Sequence, residues 1–137
     1  PEVKSRLIDE GVVRFEMRAF PLDGLALRAH AMARTVSVEK YFPLVNMLLE
    51  KQSSWAGAAD PIDALRKLGR LAGISSSEFD ATMRNRRLLE SIVQMRQDAV
   101  KDFDIKATPS FVINNETTIS GSLSFEEFAE KINATVT

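Results

Sequence analysis

Ala107-Thr108-Pro109-Ser110-Phe111-Val112-Ile113-Asn114 is the stretch that organises the reading of this chain. A Thr-Pro pair stands at the mouth of an apolar strand. Proline donates no ladder hydrogen bond, so it is excluded from a strand's interior but allowed at its first residue. An X-Pro bond also reaches the cis form at a cost of only about 0.5–1 kcal/mol. The expectation is a cis Thr108–Pro109 bond that turns the preceding backbone groups outward, free to pair with an extended peptide. Spacing alone leaves a second reading open, in which Pro109 merely starts a strand. Downstream, Asn114-Asn115 reads as a hairpin turn, because Asn tolerates φ > 0. A second strand is expected over 116–119, followed by Gly121. Ser124 and Glu127 then form a capping box that opens a final helix carrying Phe125, Phe128, Ala129 and Ile132.

Upstream, residues 1–10 read as the end of a helix with Val3, Leu7 and Ile8 on one face and Gly11 as its stop. Residues 12–18 alternate, placing Val13, Phe15 and Met17 on one side, which predicts a half-covered strand. Pro21 ends it. Asp23 is the N-cap of a helix bearing Leu22, Leu25, Ala26, Ala29, Met32 and Ala33 at helical spacing. A second helix carries Tyr41, Leu44, Val45, Leu48 and Leu49, and Pro43 places its start near Lys40. Asp60-Pro61 opens a third helix, with Leu65, Leu68, Leu71 and Ala72 expected to be buried and Gly73 closing it. Ser75 to Glu78 is a capping box before Phe79 and Met83. Leu88, Leu89, Ile92, Met95 and Ala99 then follow one side of a longer helix ending near Phe103.

The totals bound the function classes. A chain of 137 residues suits one domain, or one with an insertion, and an apolar content of 45% supports a real core. A net charge of −1 argues against nucleic acid as the main partner, since phosphate binding needs a basic surface. Apolar runs fall far short of the roughly 20 residues of a membrane span. Zero cysteines mean no disulfide, no thiolate nucleophile and no Cys-based metal site. No zinc spacing or glycine-rich phosphate loop occurs, and no cofactor is expected.

The order helix, strand, several helices, strand, strand, helix resembles the DsbA-like branch of the thioredoxin superfamily. The strings that carry the resemblance are Arg18-Ala19-Phe20-Pro21-Leu22-Asp23-Gly24-Leu25-Ala26-Leu27, Trp55-Ala56, Asp60-Pro61, Leu71-Ala72-Gly73, and 107–114 with Ile119-Ser120-Gly121. The resemblance implies an α/β fold, a thioredoxin-like sheet with a helical insertion. Residues 1–22 and 104–137 would form the thioredoxin-like part, and 23–103 an inserted helical unit packed on the sheet. It implies a protein thiol–disulfide oxidoreductase acting on cysteine-containing client proteins or peptides, in the periplasm or secreted. Ala107, Thr108 and Pro109 would line the client groove, with the Thr108 backbone pairing to the client.

One departure is large. The family's first strand and Cys-x-x-Cys helix start would lie just upstream of Pro1, so residues 1–10 would be the tail of the active-site helix. The catalytic thiolate is therefore not among these residues, and a truncated oxidoreductase is the expectation. Without that central strand, residues 12–18 and the Phe111 strand would flank an empty lane about 5 Å wide on each side. Direct pairing of the two, a strand-swapped dimer, or a further segment would have to fill it.

Three other features carry bland readings. His30, the sole histidine, reads as a solvated surface residue beside Arg28 and Arg34. Asp60, Asp63, Glu126 and Glu127 fall at helix starts, where the macrodipole accounts for them. Arg84, Arg86 and Arg87, with Arg66, Lys67 and Arg70, read as a solvated face balanced by Asp80 and Glu90, or as a docking face for an acidic partner. Two function classes stay open: a disulfide oxidoreductase without its redox half, or a redox-inactive peptide- or protein-binding module. A glutathione-conjugating or isomerase relative is a third.

Overall fold

The computed structural model describes residues 1–136. The chain divides into two compact units, Ala19–Arg96, and Pro1–Arg18 with the stretch from Gln97 on.

The first unit is helical. It holds α1 (Gly24–Ala33), α2 (Val38–Glu50), α3 (Gln52–Ala56), α4 (Pro61–Leu71), α5 (Ser76–Met83) and the start of α6 (Arg86–Phe103). Local chemistry explains the starts. The Asp23 carboxylate accepts from the Ala26 amide at 2.7 Å, and the Asp60 carboxylate from the Asp63 amide at 3.0 Å with Pro61 next in line. At Ser75 both halves of the capping box form, so the Ser75 amide and hydroxyl hold the Glu78 carboxyl below its usual range. The main core joins Met32, Leu44, Leu48, Trp55, Leu65, Leu68, Ile74 and Phe79, and the buried Trp55 indole donates to the Leu48 carbonyl at 2.8 Å. Gly69 permits the close approach of α4 to α1, since a Cβ there would lie 2.9 Å from Met32 Sδ. A second cluster joins Ala19, Ala31 and Ile92 with Leu27, Leu88, Leu89 and Met95. Arg96 donates to the Pro21 carbonyl at 2.7 Å and lies over the Phe20 ring.

Several sequence expectations change here. Leu71 is 74% exposed, because six residues after Leu65 it lies off the face that Leu65, Leu68 and Ala72 share. Leu49 and Leu22 are likewise exposed. α2 begins at Val38 and keeps Pro43 inside it. His30 is half-buried rather than solvated, and burial, aided by the charge of Arg34, holds its pKa below the usual imidazole value.

Two predictions follow from this packing. Ile92 is fully buried, and Leu68 nearly so. Truncating either to alanine should cost about 2–5 kcal/mol, read as a lower denaturant midpoint at unchanged slope. His30 has a lowered folded-state pKa, so its neutral form contributes stability that is complete above the unfolded value of 6.5 and is lost as pH falls through the folded value. The melting temperature should drop on going from about pH 8 to about pH 5.5, and H30Q should remove that part of the drop. An identical slope in both proteins would contradict this role.

The second unit holds a short N-terminal helix, β1 (Ser110–Ile113), β2 (Thr117–Ser120) and α7 (Phe125–Val136). Lys4–Ile8 is wound as a π-helix, with the Asp9 amide donating to the Lys4 carbonyl five residues back. β1 and β2 pair antiparallel in the register Ser110↔Ser120, Phe111↔Ile119, Val112↔Thr118, Ile113↔Thr117. Asn114 and Asn115 make the turn at φ 50° and 59°, and the Glu116 amide closes it onto the Ile113 carbonyl. Ser124 and Glu127 form the second capping box, and Phe128 meets Phe111 edge to face at 5.0 Å.

The strand expected over 12–18 does not form. Among the described residues β1 pairs only with β2, so the closing of 12–18 onto the Phe111 strand does not occur. The Val12 and Val13 amides both donate to the Leu7 carbonyl, continuing the preceding helical turn. Val12, Phe15 and Met17 are exposed. Alternation makes a strand only when a neighbour lies at ladder distance.

Candidate functional site

The site is built on the entry to β1. α6 ends as the Asp104 amide bonds the Val100 carbonyl, and Asp104 itself takes a left-handed φ of 53°. Ile105 is buried and anchors the segment, while Lys106 reaches back to Asp104 at 3.2 Å. Ala107, Thr108 and Pro109 follow, all exposed. The Thr108–Pro109 peptide bond is cis. The Ala107 carbonyl accepts from the Ser110 hydroxyl at 2.6 Å, and the Pro109 carbonyl from the Gly121 amide at 2.8 Å. Among the described residues, neither the amide nor the carbonyl of Thr108 has a hydrogen-bond partner.

Hydrogen-bond parity extends this open row. In an antiparallel pair, residues that exchange bonds alternate with residues that do not. The Gly121-to-Pro109 bond continues the register of the hairpin. Phe111 and Ile113 therefore bond toward β2, whereas Ser110 and Val112 direct their amides and carbonyls to the opposite edge. No strand lies on that edge among the described residues. Every residue of β1 is only partly buried. The sequence reading names Ala107, Thr108 and Pro109 but not Ser110 and Val112, whose outward-facing backbone follows only from the register.

Chemically, the arrangement offers backbone donors and acceptors to an extended chain. It offers no thiolate, since the sequence has no cysteine. Among the described residues, no group of three or more His, Asp or Glu is placed to hold a metal ion. A cavity of about 440 Å³ lined by Val36, Lys40, Gly73, Ile74 and Thr82 belongs to the Ala19–Arg96 unit and is no part of this site.

Comparison with known proteins bears on the family. A family model described as Thioredoxin matches residues 1–134. Relatives with protein-disulfide oxidoreductase in their names include one of Rickettsia typhi, 25% identical over 90% of this chain and 46% of its own length. One of Rickettsia conorii is 27% identical over 83% of this chain and 42% of its own. The chain thus spans less than half the length of these relatives. Among solved structures, a protein-disulfide isomerase from Novosphingobium aromaticivorans superposes with a TM-score of 0.78 at 18% identity, covering 98% of this chain and 80% of that one. That likeness concerns the fold.

Proposed function

The chain belongs to the thioredoxin family, and on that footing we propose that it is the client-holding part of a DsbA-like protein thiol–disulfide oxidoreductase. The single observation that carries this is the exposed Thr108, whose backbone amide and carbonyl have no partner among the described residues. A client segment would lie extended along Ala107, Thr108 and Pro109, bonding the Thr108 backbone, with its cysteine held for attack. The attacking thiolate would come from outside these 137 residues, since disulfide exchange passes through a thiolate and a mixed disulfide. The names of the Rickettsia relatives support this chemistry, and it fits a periplasmic or secreted protein. Among the described residues no helix is long and apolar enough to cross a membrane.

The test uses a labelled extended peptide with a central cysteine and residues 1–137. Binding through the Thr108 backbone should survive Thr108→Ala and weaken roughly tenfold in Thr108→Pro, which removes the donor. Equal affinity in all three proteins would remove Thr108 from the site. Absence of cysteine favours a second reading, a redox-inactive peptide-binding module on the same fold. The two separate on the reading frame preceding Pro1: a Cys-x-x-Cys there supports the oxidoreductase. A second copy lending a strand to the β1 edge would appear instead as a concentration-dependent mass in sedimentation.

A further inference from the structure

The sequence sets Arg84, Arg86 and Arg87 beside Asp80 and Glu90, which would leave a balanced, solvated face. The structure engages Asp80 elsewhere and leaves Glu90 unpaired with them. Asp80 bonds Arg66 at 3.0 Å, and Arg66 and Lys67 share Asp63 at 3.0 Å each. Arg70 donates to the Ser76 hydroxyl. Glu90 forms no ion pair among the described residues, although it stands one turn after Arg86. An Arg preceding a Glu at this spacing is the weaker orientation. Arg84, Arg86 and Arg87 are all exposed, and none has a carboxylate partner among the described residues.

Helix stability does not account for them. Arg86 and Arg87 open α6, whose first turn has no acidic residue, and the positive end of the helix dipole disfavours cations there. The turn is already capped by Asn85, which accepts from the Leu88 amide at 3.1 Å. Three exposed arginines thus fall within four consecutive residues, two of them at the helix end that disfavours cations.

We propose that Arg84, Arg86 and Arg87 form a docking surface for an acidic segment of a partner protein, distinct from the β1 edge. Guanidinium forks match carboxylates in bidentate pairs, and three of them suit a short run of Asp and Glu. Nucleic acid fits less well, because the chain's net charge is −1 and the neighbouring Arg66 and Lys67 are already neutralised. A membrane surface fits less well too. Insertion needs an apolar face beside the basic one, and here Leu88 and Leu89 pack into the cluster around Ile92.

The test is binding of a fluorescent glutamate-rich peptide to the whole chain, with the glutamine counterpart as control. The acidic peptide should bind, and should lose affinity from about 0.01 M to about 1 M salt, over which the screening length falls from roughly 30 Å to about 3 Å. The triple variant R84Q/R86Q/R87Q should bind at least about tenfold more weakly, the loss expected for charge-assisted bonds, while keeping or raising the melting temperature. R66Q, whose charge is already paired, should leave binding unchanged. Equal binding of the two peptides, undiminished binding by the triple variant, or preference for a DNA duplex or phosphatidylserine vesicle over the peptide would each overturn the proposal. Loss of stability in the triple variant would overturn the claim that these arginines do not serve the fold.

Discussion

Phe79→Ala is expected to lower stability by about 3–5 kcal/mol, enough to consume a large share of the 5–15 kcal/mol typical of a domain. Phe79 is fully buried in the main core with Met32, Leu44 and Leu65, and the Arg66 guanidinium lies 5.2 Å from its ring centroid. Removing the ring loses its transfer free energy and leaves a void that rigid helices refill only in part. It also takes away the surface on which Arg66 rests between Asp63 and Asp80. Leu71→Ala is the matched control. With Leu71 74% exposed, that change should stay within about 0.5 kcal/mol of zero. Denaturant titration of the two variants checks the contrast, and comparable losses would show that the core is misassigned.

The second large effect is an absence of turnover. Residues 1–137 alone should reduce or oxidise a test disulfide no faster than buffer. Exchange requires a thiolate to attack sulfur and a second thiol to resolve the mixed disulfide, and the sequence supplies neither. Serine and threonine hydroxyls do not substitute, because they form no disulfide. Peptide binding by the same preparation should persist, since the proposed mode uses backbone groups at the entry to β1 and no thiol. Thiol-dependent turnover by material free of contaminating oxidoreductase would contradict the assignment.

The helices were legible in the sequence wherever a cap and a periodic stripe agreed. Asp23, Asp60, Ser75 and Ser124 each cap as their side chains dictate, and Leu65, Leu68 and Ile92 are buried at the spacing that marks them. Leu71, expected on the buried face with Leu65, Leu68 and Ala72, is exposed because its angle around the helix lies at the edge of that face. Residues 12–18 show why a strand is harder to read than a helix. A helix closes its hydrogen bonds within itself, whereas a strand's partner is remote in sequence. Of the candidate site, the Thr-Pro pair is visible because proline is barred from the interior of a paired strand. Ser110 and Val112 are not, since only the register with β2 tells which residues face outward. The half-burial of His30 is not legible, because a single imidazole off the apolar stripe carries no periodic signal of its own burial.

The central claim is that an extended client segment bonds the open backbone row at the entry to β1. Amide hydrogen exchange with and without the cysteine-centred peptide tests it residue by residue. The amides of Thr108 and Val112 should slow on peptide addition, with Ser110 beside them, while those of Phe111 and Ile113, already committed to β2, should not change. Protection spread evenly along β1, or confined to the Ala19–Arg96 unit, would contradict the account.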